Sequence, residues 1–159
     1  MVTTQKLPSR LHHTAYTTKD MEKTRQFYEE VIGLPLIATW SESDELFGKV
    51  RTYCHCFLGL ADGGALAFFQ FADPDDERTL SPPIAETPYH HVALKVDDTI
   101  VLEHGYCRSL YIKDPNGMLL EFTRDAPNAE QIAQERQADA HATLQRWLRG
   151  DHTSNNVYR

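Results

Sequence analysis

Apolar residues recur at every second position in several short runs of this chain, and at helical spacing in one longer run near its start. The first pattern is typical of half-buried strands and the second of an amphipathic helix. A strand is predicted over Leu11–Thr18, and Asp20 is placed to N-cap a helix over Met21–Ile32. Three further strands complete a βαβββ module over residues 1–71: Leu36–Trp40, Arg51–Leu60 and Gly64–Phe71.

The rest of the chain divides into a linker, a second module and a tail. Residues 72–88 are acidic and rich in proline, which predicts a linker without secondary structure. Residues 125–159 hold one amphipathic helix, predicted over Ala129–Leu148. The second module spans residues 89–124 and consists of strands Tyr89–Val96, Arg108–Lys113 and Met118–Thr123, with the tight turn Asp114–Gly117 before the last strand.

A ten-residue segment near the start, Leu11–Asp20, is repeated 78 positions later as Tyr89–Asp98. Such a repeat indicates how a fold is assembled, and here it indicates two copies of one module. Alternate residues of a strand share a face, so His13 and His91 occupy equivalent places, and the histidine before each lies on the opposite face. If the modules pack around a pseudo-twofold axis, these two histidines can face one another across a shared cavity.

We therefore predict an α+β fold in which two βαβββ modules form a paired, cup-shaped mixed sheet around a metal site, with a C-terminal helix added. The second copy is short, because 57 residues separate His13 from Gln70 and only 30 separate His91 from Glu121. A missing segment after Asp98 is favoured over a true truncation, since an uncovered sheet face would expose apolar residues. An intact mass equal to that of these 159 residues would exclude the missing segment.

Composition narrows the function classes. Hydrophobic residues make up 41% of the chain, enough for a core, and the formal charge of −7 argues against nucleic-acid binding, which needs a basic surface. No apolar run approaches the roughly 20 residues of a membrane span, and no secretory signal is recognisable. Cys54 and Cys56 flank a histidine but are interpreted as core residues rather than a metal clip. A cytoplasmic protein that binds a small molecule is expected.

Glu121 is the most informative charged residue of the second module. Its strand neighbours are bulky and apolar, and a half-buried carboxylate there needs a partner, of which a metal ion is the strongest. Two imidazoles, His13 and His91, and this carboxylate make a facial triad that leaves open positions on Fe(II) or Mn(II). The run Phe68–Phe71 aligns with the strand of Glu121 and matches it to Gln70, as a weak fourth ligand or a hydrogen-bonding wall residue.

Together these features resemble the vicinal oxygen chelate superfamily. The shared pattern is a histidine and an aspartate at one spacing in both modules, a Phe-Tyr pair in the helix, an Ile-Gly-Leu run after it, and the specific run Asp114–Glu121. The superfamily includes glyoxalase I, extradiol ring-cleaving dioxygenases, fosfomycin-resistance enzymes and bleomycin-binding proteins. The resemblance covers Leu11–Arg124 and implies that the metal ligands are His13, His91 and Glu121.

In finer detail the second module is similar to extradiol dioxygenases. That branch has a histidine, five to seven residues, an apolar residue and a tyrosine before an Asp-Pro-x-Gly turn and a glutamate. This chain has His104 and Tyr111 at those spacings, whereas Leu102 departs from the small or β-branched residue that the pattern prefers. The resemblance implies that His104 is the acid/base and Tyr111 the phenol that hydrogen-bonds the deprotonated oxygen of a catechol-like substrate.

Two other functions stay open. A glyoxalase-like lyase or isomerase, or an epimerase, would use Ni(II), Zn(II) or Mn(II), and such enzymes generally need a second catalytic carboxylate. A metal-free module would sequester an antibiotic or other planar ligand between aromatic side chains. We expect a homodimer, with the modules paired either within one chain or between two. The residues expected to contact the substrate are Trp40, Tyr53, Phe57, Phe68 and Gln70.

Overall fold

The computed structural model describes residues 7–85, 87–97, 102–103 and 107–158. The chain forms two compact units, and each contains one four-stranded mixed sheet. The first unit comprises residues 1–86 together with the turn Asp114–Gly117, and the second comprises residues 87–113 and 118–159. With helices beside the two sheets in the described part of the chain, the predicted α+β class is confirmed.

The first unit contains the sheet order β1-β4-β3-β2, in which β1 is parallel to β4 and the other pairs are antiparallel. The predicted strands are confirmed, but β2 runs to Leu46, beyond the predicted end at Trp40. It does so because Phe47 and Gly48 both have positive φ, 53° and 75°, as a two-residue hairpin turn requires. The strands are β1 (His13–Thr17), β2 (Leu36–Leu46), β3 (Lys49–Gly59) and β4 (Ala65–Phe71).

The predicted helix of the first unit is confirmed, and its second half is wider than an α-helix. Helix α1 (Met21–Arg25) continues directly as a π-helix over Gln26–Ile32. The Asp20 carboxylate accepts a hydrogen bond from the Lys23 amide at 2.9 Å, which caps the helix start. Tyr28 is fully buried on the inner side of the helix and its ring lies 5.0 Å from that of Phe68. One face of the sheet therefore packs on α1.

The prediction of a linker without secondary structure over residues 72–88 is wrong, because helix α2 (Pro74–Leu80) lies within it. The Asp73 carboxylate accepts from the Asp75 amide, and Pro74 occupies the first turn, where a missing N–H costs nothing. Asp76 is buried and accepts hydrogen bonds from Lys49 and Arg51, both at 3.1 Å. Capping and these ion pairs outweigh the acidic, proline-rich composition.

The second unit repeats the sheet topology of the first, with order β5-β8-β7-β6 and β5 parallel to β8. The connection from β5 to β6 comprises residues 96–101, whereas the connection from β1 to β2 comprises residues 18–35. None of the helices in the described part of the chain is long and apolar enough to cross a membrane. The elements are β5 (His91–Lys95), β6 (Leu102–Glu103), β7 (Cys107–Lys113), β8 (Leu119–Asp125) and α3 (Ala129–Leu148).

Candidate functional site

His91 and Glu121 meet on one face of the second sheet. In the register of β5 and β8, Ala93 lies opposite Glu121 and His91 lies opposite Leu119, so the imidazole and the carboxylate are diagonal neighbours. His91 Nε2 lies 2.8 Å from Glu121 Oε2. Glu121 is only 7% exposed, so its carboxylate is buried beside His91.

The hydrogen bonds of His91 determine what its second nitrogen can do. Nδ1 lies 3.1 Å from the carbonyl oxygen of Pro88, and because a carbonyl can only accept, this contact is a hydrogen bond in the state in which Nδ1 carries a proton. In the neutral imidazole, Nε2 then directs a lone pair at the Glu121 carboxylate, and two acceptors at 2.8 Å require a cation between or beside them. That cation is either a proton or a metal ion.

The geometry fits a metal ion. Two ligands with bonds of about 2.1 Å at a right angle lie about 3 Å apart, which is close to the separation of these two atoms. A histidine that donates its other N–H to a backbone carbonyl is also the usual arrangement at metal sites. His91 and Glu121 therefore fit as two adjacent ligands of a divalent cation.

Ser109 holds the carboxylate from the other side, and the sequence analysis missed it. Its hydroxyl is fully buried on β7 and donates to Glu121 Oε1. Strand parity would have found it, since Ser109 lies two residues before Tyr111 and hence on the same face. This hydrogen bond leaves Oε2 as the oxygen directed to His91.

We expect Ser109→Ala to weaken Mn(II) binding by about 10- to 100-fold, because the carboxylate loses the donor that orients it. Isothermal titration of the purified chain measures the change. Ser43→Ala, which removes an exposed hydroxyl from β2, is the matched control and leaves the affinity as it is. An unchanged affinity in Ser109→Ala would show that Ser109 is only a packing residue.

Tyr111 lies beside the same pair of residues. It is directly opposite Glu121 in the register of β7 and β8, as predicted from its place before the turn. Its ring is perpendicular to that of His91, with the centroids 5.8 Å apart. The structure thus brings together His91, Glu121 and Tyr111 of the predicted site, whereas His104 lies outside the described residues.

In the first unit, His13 lies on an exposed face of β1. Its ring is 5.4 Å from that of Phe57 and 6.4 Å from that of His55, both in edge-on arrangements. Its Nδ1 lies 2.8 Å from Nδ1 of His12, so one of the two nitrogens must donate to the other. Because an imidazole has two nitrogens, Nε2 of His13 is the atom left for a ligand.

The match of Gln70 to Glu121 is wrong. By the register of the parallel strands, the residue of the first sheet at the place of Glu121 is Ala67, which lies opposite Ala15. Gln70 faces the helix instead, where its Oε1 accepts from the Met21 amide at 2.8 Å. The first unit therefore supplies no fourth ligand at this register position.

Phe68 is the second correction among the residues expected to contact substrate. It is fully buried against Tyr28, on the face of the sheet opposite His13. Trp40, Tyr53 and Phe57 lie on the face of His13, as the alternation along β2 and β3 requires. Two further aromatic residues on that face were missed and are found by the same alternation: His55 and Phe69, whose rings stack with centroids 3.6 Å apart.

His55 lies on the opposite face of β3 from the two cysteines that flank it. Its Nε2 is buried without a hydrogen-bond partner in the described part of the chain. Burial, together with the nearby His13, lowers the pKa of the imidazole and favours its neutral form. The Cys54 and Cys56 sulfurs lie 3.8 Å apart on the opposite face, consistent with core packing.

We expect Cys54 to resist alkylation in the folded protein. Burial, and the neighbouring Cys56, raise the pKa of the Cys54 thiol to about 11, so that little thiolate is present at pH 8. Iodoacetamide should modify it about 100-fold more slowly than in urea-unfolded chain, as followed by peptide mapping. Equal rates in the two states would contradict the buried placement.

Among the residues that the structure describes, no three histidine, cysteine, aspartate or glutamate side chains are grouped closely enough to hold a metal ion. Two adjacent donors, His91 and Glu121, belong to the second unit, and His13 belongs to the first. Two of the three predicted metal ligands, His91 and Glu121, therefore lie together within one unit.

Comparison with known proteins identifies the family. The family model of the Glyoxalase/Bleomycin resistance protein/Dioxygenase superfamily matches residues 10–101, more than half of the chain, and the chain belongs to this superfamily. The resemblance inferred from the sequence is confirmed at this level. The match ends before Tyr111 and Glu121, and it specifies no branch of the superfamily.

Individual relatives have several different functions. A 2-epi-5-epi-valiolone epimerase from Actinomyces sp is 31% identical over 96 residues, which are 55% of this chain and 52% of the epimerase, so the chain spans about half the length of that curated relative. A glyoxalase family protein from Bacillus cereus has a TM-score of 0.56 at 20% identity, covering 79% of this chain and 99% of its own. The fosfomycin resistance protein FosX from Listeria monocytogenes has a TM-score of 0.52 at 18% identity, covering 77% and 98%. The antibiotic-binding protein TnmS3 from a Streptomyces species has a TM-score of 0.51 at 15% identity, covering 77% and 100%. At these identities the structural likenesses show the fold alone.

Proposed function

We propose that this chain is a divalent-metal enzyme that binds its substrate through two neighbouring oxygen atoms, with His13, His91 and Glu121 as the metal ligands. The observation that carries the proposal is the pair of acceptors, His91 Nε2 and Glu121 Oε2, at 2.8 Å. Fe(II) or Mn(II) is the expected metal, and a structure of FosX contains Mn(II). The predicted homodimer and cytoplasmic location belong to the same proposal.

The reaction that we propose is extradiol cleavage of a catechol-like ring by O2. The carbon–carbon bond beside a hydroxylated carbon breaks, and both oxygen atoms of O2 enter the product, so no external reductant is needed. The bound metal would supply Lewis acidity that lowers the pKa of the catechol hydroxyls and a route for electron density towards O2. Orientation of the substrate and proton transfer depend on the protein side chains.

Tyr111 is the residue of the second unit placed to orient the substrate. Its position opposite Glu121 and beside His91 lets a phenol hydrogen-bond an oxygen held at the site. Proton transfer by His104 stays a prediction from the sequence. In the first unit, Trp40, Tyr53 and Phe57 supply an aromatic wall on the face of His13.

Epimerisation is the second candidate, and one observation favours it. Glu42 lies opposite Tyr53 in the register of β2 and β3, which places a carboxylate on the same face as His13. A carboxylate there can remove and return a proton at a carbon beside a metal-polarised carbonyl. The epimerase relative, at 31% identity over 96 residues, makes this reaction class the alternative to test.

One set of measurements separates these functions. The chain loaded with Fe(II) under anaerobic conditions receives a catechol and then O2, and ring cleavage should give a yellow product with uptake of one O2 per catechol. The Mn(II) form is incubated with 2-epi-5-epi-valiolone in D2O, and the exchange of a carbon-bound hydrogen is followed by NMR. Exchange that Glu42→Gln abolishes, without any O2 uptake, would replace the dioxygenase by the epimerase. Binding of planar antibiotics by chain that takes up no metal would favour a sequestering protein and contradict both.

A further inference from the structure

A second site is suggested by a cavity in the first unit whose lining includes neither His91 nor Glu121. The cavity has a volume of about 300 Å³ and lies between the start of α1 and the segment that follows α2. Neither the sequence repeat nor the superfamily motifs predict this cavity. The residues that line it and matter here are Lys19, Lys23, Ser81, Pro82, Pro83 and Asn116.

Ser81 gives this cavity a buried hydroxyl that has no partner among the residues described. The residue is only 5% exposed, and its Oγ makes no hydrogen bond with the described residues. A buried hydroxyl left without a partner costs free energy, which a ligand that accepts its proton would recover. The two prolines that follow have no N–H to offer and stiffen this wall of the cavity.

The charge of the cavity comes from Lys19 and Lys23. Neither ammonium group has an ion-pair partner among the residues described, although the protein as a whole carries a formal charge of −7. Asp20 also lines the cavity, but one of its carboxylate oxygens is held by the Lys23 amide at the helix start.

Asn116 adds no free group to the cavity, because its side-chain amide is used within the fold. Its oxygen accepts from Thr18 at 2.7 Å, and its nitrogen lies 3.2 Å from Thr24 Oγ1 and 3.1 Å from Asp114 Oδ2. The groups that a ligand can meet therefore include two ammonium groups, the Ser81 hydroxyl and the second carboxylate oxygen of Asp20, so that cations outnumber anions.

We propose that this cavity binds the anionic oxygen group, a phosphate or a carboxylate, of a small molecule. Two cations and a hydroxyl donor, against a single carboxylate, favour an anion with several oxygen atoms.

An adjoining cavity of about 490 Å³ shows where the rest of the molecule lies. It shares Thr17 and the segment 82–84 with the first cavity, and it is lined by Ala15 and Phe69 on the face of His13. A ligand with an apolar body on Phe69 and its anionic group beside Ser81 spans the two. The anion site stands on its own observations, whereas its use as a substrate anchor rests on the function proposed above.

The test uses the full chain in excess chelator, so that the result does not depend on metal binding or on catalysis. Inorganic phosphate and, separately, acetate are titrated while amide chemical shifts are followed by NMR. Phosphate should saturate the shifts of Lys19, Lys23 and Ser81. The double variant K19Q/K23Q should weaken binding by about 10-fold or more, and Ser81→Ala by a few-fold.

Arg149→Gln removes one exposed positive charge from the end of α3 and serves as the charge control, with binding unchanged. Because the Ser81 hydroxyl bonds to none of the described residues, Ser81→Ala should fold normally. It keeps the test valid if the double variant fails to fold. Saturation by acetate at lower concentrations than phosphate would identify a carboxylate as the group. If neither anion saturates, or all variants bind alike, the proposal is wrong.

Discussion

Replacing Glu121 by glutamine is expected to lower the affinity for Mn(II) or Fe(II) by about 100-fold or more, because the amide has no charge with which to bind the cation. The metal-free protein should not lose stability. A glutamine amide can donate to His91 Nε2, whose lone pair now faces a carboxylate oxygen at 2.8 Å. Ser109 can still donate to the remaining oxygen.

A loss of metal affinity without a loss of stability distinguishes a metal ligand from a structural ion pair. If Glu121 serves only to hold a protonated His91, the variant should lose stability and metal binding should be absent in the parent protein as well. Calorimetric titration with Mn(II) and urea denaturation in chelator measure the two quantities. Glu130→Gln, the same chemical change at an exposed residue of α3, should alter neither. Metal affinity within about twofold of the parent in Glu121→Gln would exclude Glu121 as a ligand.

Tyr28→Ala is expected to lower the free energy of unfolding by about 3–5 kcal/mol. The side chain is fully buried, its ring packs on Phe68, and its hydroxyl donates to Asp114 Oδ2 at 2.9 Å. Burial, with the nearby Asp114 carboxylate, raises the pKa of the phenol, so the hydroxyl remains a donor throughout the accessible pH range. The loss of ring and donor together threatens folding, since such domains are stable by only about 5–15 kcal/mol.

Tyr28→Phe therefore provides the second measurement. It keeps the ring and removes only the donor, and we expect a loss of about 1–3 kcal/mol in urea denaturation because the buried Asp114 carboxylate loses one partner. Tyr89→Phe, at a side chain that is 86% exposed, should stay within about 0.5 kcal/mol of the parent. A Tyr28→Phe variant as stable as Tyr89→Phe would show that the hydrogen bond to the turn contributes nothing.

The errors of the sequence analysis have physical causes. Gln70 was matched to Glu121 by the likeness of two short phenylalanine- and leucine-containing runs, whereas register is set by hydrogen bonds between strands and by packing of alternate residues on α1. The observed register places Ala67 at that position and turns Gln70 towards the helix. Similarly, composition marked residues 72–88 as a linker, but local capping by Asp73 and the ion pairs of Asp76 stabilise α2.

The sequence by itself determined the duplicated modules, the strand and helix order of the first unit, and Glu121 as a buried carboxylate that needs a partner. These follow from periodicity, capping residues and repetition, which are local properties of the chain. Only the tertiary structure decided that the Pro88 carbonyl lies against His91 Nδ1, that Ser109 donates to Glu121, and that the Ser81 hydroxyl is buried without a partner among the described residues. Each of these depends on which atoms of separate segments are brought within about 3 Å of one another, and no periodic pattern encodes that.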